Sequence, residues 1–325
     1  MCWTKKNILR LKRFMRNDFV KQMKIEMARD KSIFFLTGDL GFNALEPLAE
    51  KFPERFYNVG IAEQNLVGLA TGLALNGHKV VIYSIASFVT MRCYEQIRTD
   101  ICYHNLDVKI IGTGGGFNYS DNGITHHTIE DLSIMRVLPN MKVFCPSYSW
   151  EAIESTKAMM RDKGPAYLRL GKSPGINYNK PSWSFKIGRG YAIKPGKDIT
   201  LFLTGNISDV AFGAAKIIEK ETKKSVEIIS LPTVKPLDEK FILNKLSKAK
   251  GVFTIEEHNI VGGLGTAIAT IMAKSKYNIP FKIFGVPDRF IKEVGTREYL
   301  CELAGLSPIS IAAEIKKVLK KKSKN

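Results

Sequence analysis

The sequence predicts an α/β protein of two domains, a doubly wound, mostly parallel-sheet domain followed by a smaller α/β domain. Three observations carry that expectation. Short apolar runs alternate with longer stretches of helical period, Gly stop signals follow helical stretches, and the alternation pauses once in a Gly-, Pro-, Ser- and Asn-rich segment before it resumes. A chain of 325 residues is long enough for two ordinary domains, and its 45% hydrophobic content can fill two cores.

Taken in order, "SIFFLTGDL" (32–40) reads as a strand, and "LVGLATGLALNG" (66–77) as a helix stopped by glycine. "KVVIYSIA" (79–86) is a strand, "CYEQIRTDICYH" (93–104) has helical spacing, and "VKIIGTGGG" (108–116) is a strand entering a glycine turn. "KVFCPSY" (142–148) and "PAYLRLG" bracket the helical "WEAIESTKAMMRDKG". After "KSPGINYNKPSWSFKIGRG", a second alternation runs through "DITLFLTG", "AAKIIEKE", "SVEIISLP", "GVFTIEEH", "LGTAIATIMAKS" and "KIFGVPD". The expected organisation is a basic extension over residues 1–14, a first domain over 15–172, a linker over 173–190 and a second domain over 191–325 ending in a Lys-rich tail. Met15 is a second candidate start.

The formal charge of +18 sits mostly at the ends, with six lysines in "KKVLKKKSKN" and eight basic side chains against one acid in residues 1–24. The interior shows no Arg/Lys face interleaved with aromatics, which argues against nucleic acid and for phosphorylated substrates or an acidic partner. No window reaches the apolar length of a membrane span, and the basic N-terminus lacks the apolar block of a signal peptide. The five cysteines form no CxxC pair or metal spacing and read as reduced thiols of a cytoplasmic protein. "GKS" at 171–173 fails as a P-loop, because Ala166 stands where its first glycine belongs and Pro174 blocks the helix. "THH" (125–127) lacks a third ligand at a recognisable spacing, so no metal site is expected.

Glu63 remains to be explained. In "GIAEQN" it opens an apolar stretch that carries no further charge until His78 and Lys79. Helix dipoles favour such an acid; a catalytic carboxylate held in a dry site is the other reading.

"RFYNVGIAEQNLVGLATGLALNG" resembles the pyrimidine-binding segment of the transketolase family. The resemblance continues through "SFVTMRCYEQIR", "YSDNGITHHTIEDLSIMRVLPNMKVFCPS", "GPAYLRLGKSP" and "EEHNIVGGLG", in order, over nearly the whole chain from Met15. It implies a thiamine-diphosphate-dependent enzyme that moves a two-carbon ketol unit from a ketose, or ketose phosphate, to an aldose. The family's diphosphate-binding domain, with its GDG motif, has no counterpart in this sequence. The expectation is therefore the C-terminal subunit of a split transketolase, inactive without an N-terminal subunit that binds most of the Mg2+ or Ca2+, in an α2β2 heterotetramer.

The resemblance also implies roles. Glu63 would bond the pyrimidine nitrogen and control protonation of the ring's amino group, in a pocket dry enough to strengthen that bond. Phe88 would stack on the ring, with Ile85 and Met91 where the family places further aromatics. Asp39 matches an acid near the cofactor. His126 would assist charge or proton movement at the donor carbonyl. His127 stands for the family's usual Gln and Asn122 for an Asp that holds a sugar hydroxyl. Arg169 and Arg16 match phosphate-binding arginines, while a donor-site histidine would align near Gly114 and is absent. Alternatives are the β subunit of a 2-oxoacid dehydrogenase, a deoxyxylulose-phosphate-synthase-like enzyme, and a non-catalytic regulatory or scaffold subunit.

Overall fold

Apolar runs become buried parallel strands throughout the chain. The computed structural model describes residues 15–172 and 184–322; the extension 1–14, linker residues 173–183 and tail residues 323–325 lie outside the described residues. The strands are β1 (Ile33–Thr37), β2 (Phe56–Asn58), β3 (Lys79–Ile85), β4 (Val108–Thr113), β5 (Lys142–Phe144), β6 (Ala166–Leu170), β7 (Tyr191–Lys194), β8 (Ile199–Thr204), β9 (Val226–Ser230), β10 (Thr233–Lys235), β11 (Gly251–Asn259) and β12 (Phe281–Val286). They form a seven-stranded sheet in the order β10-β5-β6-β4-β3-β1-β2 and a five-stranded sheet in the order β12-β11-β8-β9-β7. Every pairing is parallel except β10 with β5 and β7 with β9. Helices cover both faces of such sheets, so their central strands are apolar on both sides rather than alternating; all six residues of β4 and of β8 are buried.

The architecture is the two-domain, mostly parallel α/β arrangement that the alternation predicts. One refinement concerns β10: it follows β9 in the chain yet joins the first sheet, pairing Thr233 with Phe144. The cores reflect this junction. One buried cluster runs from Leu66, Val67 and Ile110 through Val143 and Tyr167 to Phe202, Ile229 and Val252, so apolar burial is continuous between the sheets.

Two further departures matter for the site. The segment Met15–Arg29 is a helix that buries Met15, Phe19, Met23 and Met27, a four-residue repeat inside a basic stretch. The stretch expected as one helix over 93–104 is instead wide π-turns, Phe88–Arg92 and Ile97–Cys102, around a short α turn, Tyr94–Gln96. Such turns recur at functional sites, and the first of these carries Phe88 and Arg92.

Candidate active site

In open parallel sheets, the strands' carboxyl ends flank a crevice that no helix fills. Gly38 follows β1, Ser84 lies near the end of β3, the turn Gly114–Gly116 follows β4, and the helix Glu63–Leu75 starts beside them. Glu63 is only 3% exposed. Ser84 Oγ donates to its Oε1 at 2.9 Å, and Arg92 donates to Oε2 at 3.0 Å. An acid placed merely to complement the dipole would point into water; this one points inward, with each oxygen holding one donor.

Arg92 reaches Glu63 across Phe88: its guanidinium carbon lies 3.9 Å from the centre of that ring. The seat between Glu63 and Phe88 therefore accepts a flat group that stacks on the ring and offers N–H to the carboxylate. His126 meets the edge of Phe88 with ring centres 5.1 Å apart, and Tyr119 meets His126 at 5.7 Å. Lys172 Nζ sits 3.5 Å from the centre of the Tyr119 ring. Burial lowers the His126 pKa, as do the charges of Lys172, Arg92 and His127. The Lys172 pKa is lowered too, first by desolvation; Asp121 opposes that shift and Arg16 adds to it. The structure thus joins Glu63, Phe88 and His126 in one crevice and brings Arg16 within electrostatic reach of Lys172 and Tyr119.

Ser84, Arg92, Tyr119 and Lys172 belong to this site although nothing in their sequence context singles them out. Where the resemblance would place a histidine, a Cβ on Gly114 would clash with Cε2 of the Tyr119 ring, and Gly114 adopts a φ of +77° that suits only glycine well.

The remaining expected residues divide. Ile85 is half-buried at the end of β3, whereas Met91 is 40% exposed. Asn122 is exposed in the loop after Tyr119. Asp39, at a φ of 55°, exchanges bonds with Asn58: Asp39 N donates to Asn58 Oδ1 at 2.9 Å and Asn58 Nδ2 donates to Asp39 Oδ1 at 2.8 Å. Asn58 Oδ1 also accepts from Gly60 N at 3.0 Å, so this pair shapes the loop that delivers Glu63. His127 lies deeper than His126. It is 4% exposed, its ring packs on Phe117 at 5.3 Å, and Nε2 lies 3.2 Å from Ser120 O, so it braces the loop from behind.

Arg169 has a structural part as well. It is 6% exposed and lies between the two sheets, where Nη2 donates to Thr128 O at 3.1 Å and to Glu257 O at 2.8 Å, while Nε stands 3.5 Å from Asp131 Oδ2. Desolvation pulls its pKa down, but Asp131 and its other acidic neighbours outweigh that and hold it fully charged. Glu257 in turn accepts from Phe117 N at 2.5 Å and from Arg297 Nε at 2.7 Å. Two of its three nitrogens are thus engaged within the protein. Arg169→Met should cost about 3–5 kcal/mol of stability, the usual penalty for breaking a buried pair and stranding its partner. Urea unfolding measures this, and an unchanged midpoint would refute the structural role.

Residues 13–175 match the family described as transketolase, pyrimidine binding domain, and residues 188–311 match transketolase, C-terminal domain. A putative transketolase C-terminal section of Methanocaldococcus jannaschii is 36% identical over 90% of this chain and 92% of its own length. A 6-deoxy-6-sulfo-D-fructose transketolase subunit of a Clostridium species is 30% identical over 95% of this chain and 96% of its own. The 1-deoxy-D-xylulose-5-phosphate synthase of Halothermothrix orenii is 33% identical over 81% of this chain but only 42% of its own length. Among solved structures, a split gene transketolase described as an inactive beta4 tetramer superposes with a TM-score of 0.83, at 35% identity, covering 94% of this chain and 98% of that one.

Proposed function

The chain belongs to the transketolase family, and from that premise we propose that it is the C-terminal subunit of a two-subunit transketolase, carrying a ketol unit from a ketose, or ketose phosphate, to an aldose. The observation that carries the proposal is the seat itself: a buried carboxylate facing an aromatic ring, already bridged by a flat N–H donor, with an imidazole at its rim. That seat fits the aminopyrimidine of thiamine diphosphate, whose own contribution when bound is a carbon nucleophile for breaking and making bonds beside a carbonyl. Glu63 would hold the pyrimidine nitrogen and set its protonation, with Ser84 fixing the carboxylate and Phe88 the ring plane. His126 would donate to oxygen as charge develops there. Lys172 and Arg16, together with Arg169, are the cations that would receive a substrate phosphate.

The diphosphate and its metal would be held by an N-terminal subunit, in an α2β2 assembly with the cofactor between subunits. The likeness to a separate C-terminal section and to a chain named as one subunit of a transketolase supports this reading. The decisive experiment mixes this chain with a candidate partner, thiamine diphosphate and Mg2+, and follows ketol transfer. No turnover by the chain alone and turnover on mixing are expected; full activity without a partner would defeat the subunit assignment. The similarity to deoxyxylulose-phosphate synthases supports a second reading, which release of carbon dioxide from pyruvate would identify.

A further inference from the structure

We propose that Arg92 is a placeholder for the cofactor's pyrimidine: its guanidinium keeps the seat between Glu63 and Phe88 shaped and charge-balanced until the ring enters and displaces it. The inference rests on the proposed function, since it presumes which ring enters, but the geometry is this chain's own. The two contacts expected of the pyrimidine, a stack on Phe88 and an N–H bond to Glu63, are both already made by Arg92, at 3.9 Å and 3.0 Å. A guanidinium is planar, delocalised and a donor at its edge, so it can reproduce both contacts at once, as an ammonium cannot.

The burial of the two partners is unequal, and that asymmetry defines the device. The Glu63 side chain is 2% exposed and fixed by Ser84, whereas that of Arg92 is 49% exposed. A carboxylate so enclosed is costly without a counter-charge, and in the chain alone Arg92 supplies it. Half of Arg92 is already in water, so it can leave at little cost when another donor takes its place. Arg92 is also the last residue of the π-turn that begins at Phe88, which places stacking ring and guanidinium four residues apart on one short element. Exchange of donors leaves Glu63 paired before and after loading. It also makes the cofactor compete with an internal ligand, so the apparent affinity is lowered by the fraction of molecules in which the seat is filled.

Arg92→Met keeps the length of the side chain but removes the stack-and-donate geometry. In the complex with the partner subunit, titrated with thiamine diphosphate by calorimetry, this variant should bind the cofactor about tenfold more tightly than the unaltered chain, and Arg92→Lys should fall between them. In the chain alone, Arg92→Met should lower the thermal midpoint, and adding Glu63→Gln should restore most of it, because the stranded charge is then gone. Unchanged or weaker cofactor binding by Arg92→Met would overturn the placeholder role while leaving the proposed function standing. If neither protein bound thiamine diphosphate in the complex, the reading of the whole seat would fall, and this inference with it.

Discussion

Glu63→Gln should cost the reconstituted enzyme about 10³-fold or more in turnover, the upper part of the range for losing a positioned acid–base group. The amide has nearly the shape of the carboxylate and its oxygen can still accept from Ser84, so the helix Glu63–Leu75 keeps its start. What disappears is the charge: a neutral amide cannot hold a proton on a ring nitrogen across a dry contact. Its N–H group would also face the donors of Arg92, but that half-exposed side chain can turn to water, which limits the loss of stability. The measurements are steady-state turnover in the assembled complex and sedimentation to show that assembly persists. Ordinary turnover by the assembled variant would remove Glu63 from the chemistry.

Glu63 was legible in the sequence because a lone acid inside an apolar run contradicts its surroundings, and such contradictions mark functional positions. Most of the long strands were legible for a related reason: β3, β4, β8 and β11 are long enough for buried apolar runs to register. β2 and β10 have three residues each and carry no period at all. The helix Met15–Arg29 was masked by its lysines, although its buried residues recur every fourth position.

Cations were the hardest to read, because a surface lysine or arginine is solvated by default and only its spatial neighbours make it special. "YLRLGK" holds two cations with different surroundings. Tyr167 and Arg169 are two apart in β6, so they share the face turned toward the second sheet, where Tyr167 donates to Asp131 at 2.6 Å and Arg169 lies beside the same carboxylate. Lys172 comes after the strand ends at Leu170, at the edge where crevices of parallel sheets open. Arg92 offered no such cue; its meaning lies in a π-turn that helical periodicity did not predict.

His126→Ala should lower kcat/KM by about 10²–10³, the loss typical of removing one donor from a developing oxyanion, and should leave cofactor affinity within about twofold. Thr125 Oγ1 lies 2.9 Å from His126 Nδ1, where either atom can donate, and 3.5 Å from Asn122 O, which only accepts. The lowered His126 pKa keeps the ring neutral at pH 7. Protonation would add a charge facing those of Lys172 and Arg92, so activity should fall only at pH values below the ordinary histidine range. Lys172→Met deletes one of the charges that depress the pKa, and the acid limb of the rate profile should then move to higher pH. His126→Gln, which restores an N–H donor without a titrating group, should recover part of the rate and lose that limb altogether. A glutamine variant as slow as alanine, or an acid limb indifferent to Lys172, would mean that His126 acts by something other than donation from a neutral ring.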